Sequence, residues 1–263
     1  MAAGAALLGW GLASREGVLD NYPDLLLLAF SSFLMVSAFN SLNDFFDHRI
    51  DRTAHPERPI PSGRMTREAA RNNSILLLSV SLMLGTLLSI NSSTVLPLLL
   101  LFLALFMDTS YELFLKKLPF LGNLSVALLT GFPFLYGASI TSFDPPVVIL
   151  ALMAVVVNLS REVIKDVEDL EADKVERRTV PAVQGEVDSL WLALAMTLLG
   201  IALSLWLYIT IRPHTLLILF LIISDVELII SCVTSFTDAE RAQKYMKVGM
   251  VLLMLGMFLY LLV

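Results

Sequence analysis

Two stretches of the chain carry oxygen-bearing side chains at a spacing that could hold a cation. The first is Asn43-Asp44-Phe45-Phe46-Asp47-His48-Arg49-Ile50-Asp51, which sets Asn43, Asp47 and Asp51 four residues apart. The second, Lys165-Asp166-Val167-Glu168-Asp169-Leu170-Glu171-Ala172-Asp173, repeats that interval with Lys165, Asp169 and Asp173. On a helix such residues stack along one face over about 12 Å. Like charges stacked in this way repel by a few tenths of a kcal/mol per pair, so a compensating charge is expected. Mg²⁺ suits the donor set, because it takes oxygen ligands and is typically held by a few carboxylates plus substrate phosphates. Asn43, Asp47, Asp51, Asp166, Asp169 and Asp173 are the candidate ligands, with two ions on either side of a diphosphate. Arg58, Lys116, Arg161 and Lys165 could bind the remaining phosphate oxygens. A solvated acidic helix end is the plain alternative for either stretch alone. Two copies in one register, each at the end of a long apolar segment, argue against it.

The elements that must position these residues follow from composition. The chain has 263 residues, 57% of them hydrophobic and only 16% charged. Soluble domains carry about 25% charged residues. Disorder is excluded by the apolar content, and a disulfide scaffold by a single cysteine, Cys232. A net charge of −6 argues against nucleic-acid binding. What remains is an integral membrane protein. Nine apolar segments lie near 1–14, 23–46, 72–90, 94–114, 120–141, 146–164, 189–211, 214–236 and 246–263, separated by turn signals such as Asp144-Pro145-Pro146 and Arg212-Pro213. They lack the alternating polarity of a transmembrane β-barrel. Most are long enough to span as helices. Met1 to Ser14 has no positive n-region and is not a signal peptide. It is expected to be a short first helix, or the end of one that starts upstream.

Nine spans place sixteen of the eighteen Lys and Arg residues on one side, leaving Arg15 and Arg212 on the other. The positive-inside rule puts the basic side in the cytoplasm. The expected fold is therefore all-α: a polytopic membrane protein with nine transmembrane helices in one bundle, a cytoplasmic polar cap, and a single domain over residues 1–263. The expected location is the cell membrane, multi-pass, with the active-site loops cytoplasmic. No obligate protein partner is implied.

The paired motifs, Asn43-Asp44-x-x-Asp47-x-x-x-Asp51 and Lys165-x-x-x-Asp169-x-x-x-Asp173, resemble the two aspartate-rich motifs of the UbiA superfamily of intramembrane prenyltransferases. The likeness extends to span count and motif placement. Asn43 to Asp47, Arg58-Pro59-Ile60-Pro61-Ser62-Gly63, and Arg161 to Asp169 look most like its archaeal, ether-lipid branch. The resemblance implies Mg²⁺-dependent transfer of a prenyl group, geranylgeranyl in that branch, from an allylic diphosphate to the hydroxyl of geranylgeranylglyceryl phosphate. It makes Asn43, Asp47, Asp51, Lys165, Asp169 and Asp173 the catalytic set. Its partners are then a prenyl diphosphate, a lipid-like acceptor and the bilayer. An aromatic or quinone-precursor acceptor on the same fold is the alternative. An ion-coupled transporter is the more remote one, since transporters bind near the midplane and these charges cluster at one face.

Arg52, Arg64, Lys117, Lys174 and Arg178 are candidates for the acceptor's phosphate. His48 and His55 are read as solvated loop residues. Asp225 and Glu227 fall in the middle of the eighth segment, where carboxylates are functional candidates. They are about 200° apart on a helix, so only one, Asp225, is assigned to the substrate cavity. Tyr111 is placed to reach the diphosphate or to serve as an interfacial aromatic. Asn123 and Asn158 are expected to hydrogen-bond between helices, and Cys232 to pack inertly.

Overall fold

Proline opens several of the helices. It occupies the first turn of α2 (Tyr22–Asp47), α5 (Leu96–Leu113), α7 (Pro145–Glu168) and the short α8 (Val180–Gln184), where its missing N–H costs nothing. Thr66 caps α4 (Arg67–Asn91) by accepting from the Ala69 amide at 3.1 Å. His214 caps α10 (Thr215–Ser235) in the same way through Nδ1 and the Leu217 amide, at 3.3 Å. The remaining helices are α1 (Ala2–Ala13), α3 (Asp51–Ala54), α6 (Leu121–Ala138), α9 (Glu186–Ile211) and α11 (Ala239–Leu262). A computed structural model describes residues 1–14, 21–170, 179–211 and 213–262, and among these every regular element is helical.

Among the described residues, eight helices are long and apolar enough to cross a membrane. The segment at residues 1–14 forms a short first helix, one of the two forms expected of it. Helix α1 has 12 residues, a rise of about 18 Å against a hydrocarbon core of about 30 Å. The first motif also departs from a single helical stack. Helix α2 ends at Asp47, His48 to Ile50 form a turn, and Asp51 opens α3. His48 and Ile50 keep right-handed helical dihedrals, so the chain runs on in much the same direction. The break separates Asp51 from the charge below it and lets it meet Arg58 instead.

Sequential helices pack as neighbours, α2 on α4, α6 on α7, α7 on α9 and α10 on α11, and α1 closes the ring by touching α2, α6 and α11. Large apolar side chains such as Phe33, Phe106, Trp206 and Ile209 stay exposed on the outside, as a lipid-facing surface requires. Between helices, buried apolar clusters such as Leu8, Phe134, Leu207 and Met257 are joined by small and polar contacts of the kind that membrane helices use. Ser31 bonds Tyr136 Oη at 2.6 Å, Ser81 donates to the Ser31 carbonyl at 2.8 Å, and Ser224 to that of Gly249 at 2.9 Å. Helices α1 and α6 touch backbone to backbone. A Cβ on Gly9 would stand 2.0 Å from the Phe134 carbonyl oxygen, and one on Gly137 only 1.9 Å from that of Ala6. Gly137→Ala should therefore force the pair apart and destabilise the protein by about 1–3 kcal/mol. Gly4→Ala, which meets no backbone but only side chains, the flexible Met254 at 3.2 Å and the Phe258 ring at 3.4 Å, should be nearly neutral. Thermal unfolding of both variants in detergent tests the difference.

Candidate active site

The end of α2 and the end of α5 meet through four side chains. Asn43 Nδ2 donates to Asp47 Oδ2 at 3.0 Å and to Glu112 Oε1 at 2.8 Å. Lys116 Nζ, on the 3₁₀ turn Leu115–Lys117 that follows α5, donates to Asp47 Oδ1 at 2.5 Å and to Glu112 Oε2 at 2.7 Å. Two donors and two carboxylates thus alternate in a closed ring. The side chains of Lys116, Asp47 and Glu112 are 10%, 7% and 1% exposed, so these are buried ion pairs. Beside the ring, Arg58 donates to both oxygens of Asp51 at 2.9 Å and lies 4.0 Å from Asp44. Arg58 is held by a tight turn: the amide and hydroxyl of Ser62 both bond its carbonyl, at 3.0 and 2.7 Å. Gly63 follows with φ +75°, a left-handed conformation that glycine adopts freely.

The second motif closes α7. Asp166 accepts from Asn123 Nδ2 at 2.8 Å, which ties α6 to α7. Arg161 donates to Glu162 at 2.6 Å and to Gln243 of α11 at 3.3 Å. Asp169 sits at the C-cap, its amide on the Lys165 carbonyl at 2.9 Å. Asp173, Lys174 and Arg178 lie outside the described residues.

A single cavity of about 860 Å³ joins the two motifs. Asn43, Asp47, Asp51, Arg58, Tyr111, Lys116, Arg161, Lys165, Asp166, Asp169 and Asp225 all line it. Its inner walls are apolar, with Leu101, Phe134, Leu150, Met153 and Met257 among them. Asp225 accepts from Ser204 Oγ at 3.0 Å. Glu227, two residues on, is not part of the lining, nor are Arg52, Arg64 and Lys117. His55 does line the cavity and lies 3.7 Å from Glu57, while His48 Nδ1 bonds the Phe45 carbonyl at 3.1 Å. Asn123 bridges helices as anticipated, but Asn158 Nδ2 has no hydrogen-bond partner. Cys232 is buried, its thiol on Thr197 at 3.0 Å.

Sequence reasoning passed over Asp108 and Glu112, which also line the cavity. The signal was present: Asp108, Glu112 and Lys116 repeat the four-residue interval of the two motifs. It was hidden because the third member is basic and a helix end falls between the last two.

The donors around the rim are almost all oxygen, which fits a hard cation. Among the described residues, no three His, Cys, Asp or Glu side chains gather around one point. A Mg²⁺ ion here would take its remaining ligands from a bound phosphate and from water, as that ion commonly does.

Residues 4–262 match the UbiA prenyltransferase family, and the chain belongs to it. A curated relative, digeranylgeranylglyceryl phosphate synthase of Methanosphaera stadtmanae, is 33% identical over 238 residues, covering 88% of this chain and 85% of that protein. Among solved structures, one of a digeranylgeranylglyceryl phosphate synthase superposes with a TM-score of 0.77 at 28% identity, covering 99% of this chain and 92% of that one. A UbiA homologue from Archaeoglobus fulgidus, bound to DMAPP and Mg²⁺, shares the fold with a TM-score of 0.67 at 16% identity, covering 100% of this chain and 96% of that one.

The ring predicts a stability defect that a second change relieves. Lys116→Met leaves Asp47 and Glu112 buried without their cation and should cost about 3 kcal/mol. Adding Glu112→Gln removes one of the two stranded charges and should recover part of the loss, as a double-mutant cycle of thermal unfolding in detergent would show.

Proposed function

We propose that the protein transfers a geranylgeranyl group from an allylic diphosphate to the hydroxyl of geranylgeranylglyceryl phosphate, with Mg²⁺. The observation that carries this reading is the polarity of the cavity: charged where the two motifs meet, apolar below. A prenyl diphosphate has the same two-part character. Its head would lie at the rim, against Arg58, Lys116, Arg161 and Lys165, and its tail among Leu101, Phe134, Met153 and Met257. Lys116 has a third N–H outside the ring to offer, and Arg58 has further N–H groups beyond the one that holds Asp51. The acceptor follows from the relatives that carry the name digeranylgeranylglyceryl phosphate synthase and from the Arg58–Gly63 and Arg161–Asp169 stretches.

Asn43, Asp47, Asp51, Asp166, Asp169 and Asp173 would hold Mg²⁺, two ions bridging the diphosphate. The metal supplies charge neutralisation of the departing diphosphate. The remaining work falls to the chain itself. Arg58, Lys116 and Lys165 fix the head group by charge-assisted hydrogen bonds. The apolar walls exclude water, which would otherwise consume a reactive allylic centre. The distribution of basic residues supports a cytoplasmic position for the rim.

The test is prenyl transfer in detergent from labelled geranylgeranyl diphosphate, with geranylgeranylglyceryl phosphate or an aromatic acid as acceptor, with and without EDTA. Turnover should need the glycerol lipid and should stop when EDTA removes the metal. Asp47→Asn and Asp169→Asn should each lower it by about 10²–10³-fold. Turnover of the aromatic acid alone would overturn the assignment of the acceptor, and activity that survives EDTA would overturn the metal.

A further inference from the structure

On the reading above, two anions share this cavity. The allylic diphosphate is one, and the acceptor carries the other, a phosphate monoester. Like charges repel, so each needs donors of its own. Of the basic residues first considered for the second anion, Arg52, Arg64 and Lys117 do not line the cavity, and Lys174 and Arg178 lie outside the described residues. Arg58 and Lys116 line it, but they are tied to the carboxylates at the ends of α2 and α5.

Another group of donors stands on the wall made by α7 and α11. Asn158 and Arg161 are three residues apart on α7, so they share a face, and both line the cavity. Asn158 is 6% exposed, and its Nδ2 has no hydrogen-bond partner. Nor has Arg161 Nε, which is buried too. Gln243 brings α11 against this face: it accepts from Arg161 Nη2 at 3.3 Å and donates to Glu168. Lys247 follows Gln243 by four residues, again on one face, and lines the cavity. Helix α7 ends at the rim and α11 begins there. Counted inward from the Arg161–Gln243 bond, Asn158 lies about 4.5 Å deeper and Lys247 about 6 Å deeper. The two stand at nearly one level, on helices in contact.

The set offers donors only. Lysine and arginine have no acceptor atom, and the unpaired atom of Asn158 is its amide nitrogen. Among the described residues, no ion pair or hydrogen bond engages Lys247. Glu162 takes one N–H of Arg161 at 2.6 Å and offsets its charge, so the net positive charge comes from Lys247. Asp225 of α10 also lines the cavity, but it accepts from Ser204 Oγ at 3.0 Å and takes none of these donors. Buried donors are costly to leave unpaired. Several together fit an anion with several acceptor oxygens, as a phosphate has. We infer that Asn158, Arg161 and Lys247 form a second anion site in the cavity, which holds the phosphate of the acceptor lipid. This rests on the reading above, that the acceptor is a phosphorylated glycerol lipid. It turns Arg161 to the acceptor and leaves Arg58, Lys116 and Lys165 for the diphosphate. Met250 and Met254, three and seven residues beyond Lys247, line the cavity below it and give the acceptor's chain an apolar wall.

The test is equilibrium binding to the full chain in detergent, without prenyl diphosphate. The two probes are geranylgeranylglyceryl phosphate and geranylgeranylglycerol, the same lipid without its phosphate. Wild type should prefer the phosphorylated lipid. Lys247→Met should weaken binding of that lipid about tenfold and Asn158→Leu about fivefold, each the equivalent of one lost hydrogen bond, with binding of geranylgeranylglycerol unmoved. Lys247→Arg should restore part of the loss. Lys244→Met removes an exposed charge of the same helix, paired with Glu240, and should change neither. In the transfer assay, Lys247→Met should raise KM for the acceptor and not KM for geranylgeranyl diphosphate. A rise in KM for the diphosphate instead would give these donors to the diphosphate and overturn the inference. So would equal losses on both lipids. A wild type that shows no transfer to the glycerol lipid brings down the functional reading and this inference with it. A wild type that transfers, while its binding ignores the phosphate, brings down this inference alone.

Discussion

A carboxylate at the edge of a hydrocarbon layer has to be answered by a cation or by hydrogen bonds, and at the mouth of this bundle it is answered by both. Asp47 and Glu112 have four oxygens between them, and Asn43 and Lys116 supply one donor to each. Breaking such a buried pair on one side typically costs several kcal/mol, so the four residues hold one another in place. They come from the end of α2, the end of α5 and the turn beyond it. Helices α2 and α5 share few other contacts. The ring is thus what fixes the distance between them at the rim. It also decides which atoms are left over: Asn43 spends its amide nitrogen on the two carboxylates, so its carbonyl oxygen remains outside the ring, and Lys116 keeps one N–H.

Most of the architecture was legible in the sequence because a membrane leaves few choices. Backbone groups in lipid must pair within the segment, so a long apolar stretch becomes a helix. Connections fell where turn chemistry predicts them at Asn91-Ser92-Ser93 and at Asp144-Pro145. The short segment before Ser14 was harder to read, because an apolar stretch of that length suits either part of a span or a buried helix. The candidate site was legible where one residue type recurs at a four-residue interval, as in Asp47 and Asp51 or Asp169 and Asp173. Asp108 and Glu112 share that interval with Lys116 and were missed, because their partner is basic and the third member lies past the helix end. The break after Asp47 was hidden for a related reason. An unbroken stack of acids keeps the helical register but ignores the repulsion within it, and Arg58, seven residues further on, offers Asp51 a better neighbour. Which neighbour a charge chooses depends on folding partners distant in sequence, and periodicity does not report them.

The walls below the rim are held by a different force. Serines and glycines make the interhelical contacts there, including Ser31 on Tyr136, Ser160 on the Ala193 carbonyl at 2.7 Å and Ser231 on that of Ala242 at 2.6 Å. These bonds satisfy the hydroxyls in pairs within the walls. Small side chains let the backbones come close where they meet, while larger ones such as Leu8, Phe134 and Met257 pack between the helices and others face the lipid. The consequence is a cavity whose two ends are built independently: charge sets the rim, and close backbone packing sets the depth. An amphiphilic substrate entering such a space has one orientation that satisfies both ends. Its head group finds the cations, and its chain finds walls with few polar atoms left to solvate.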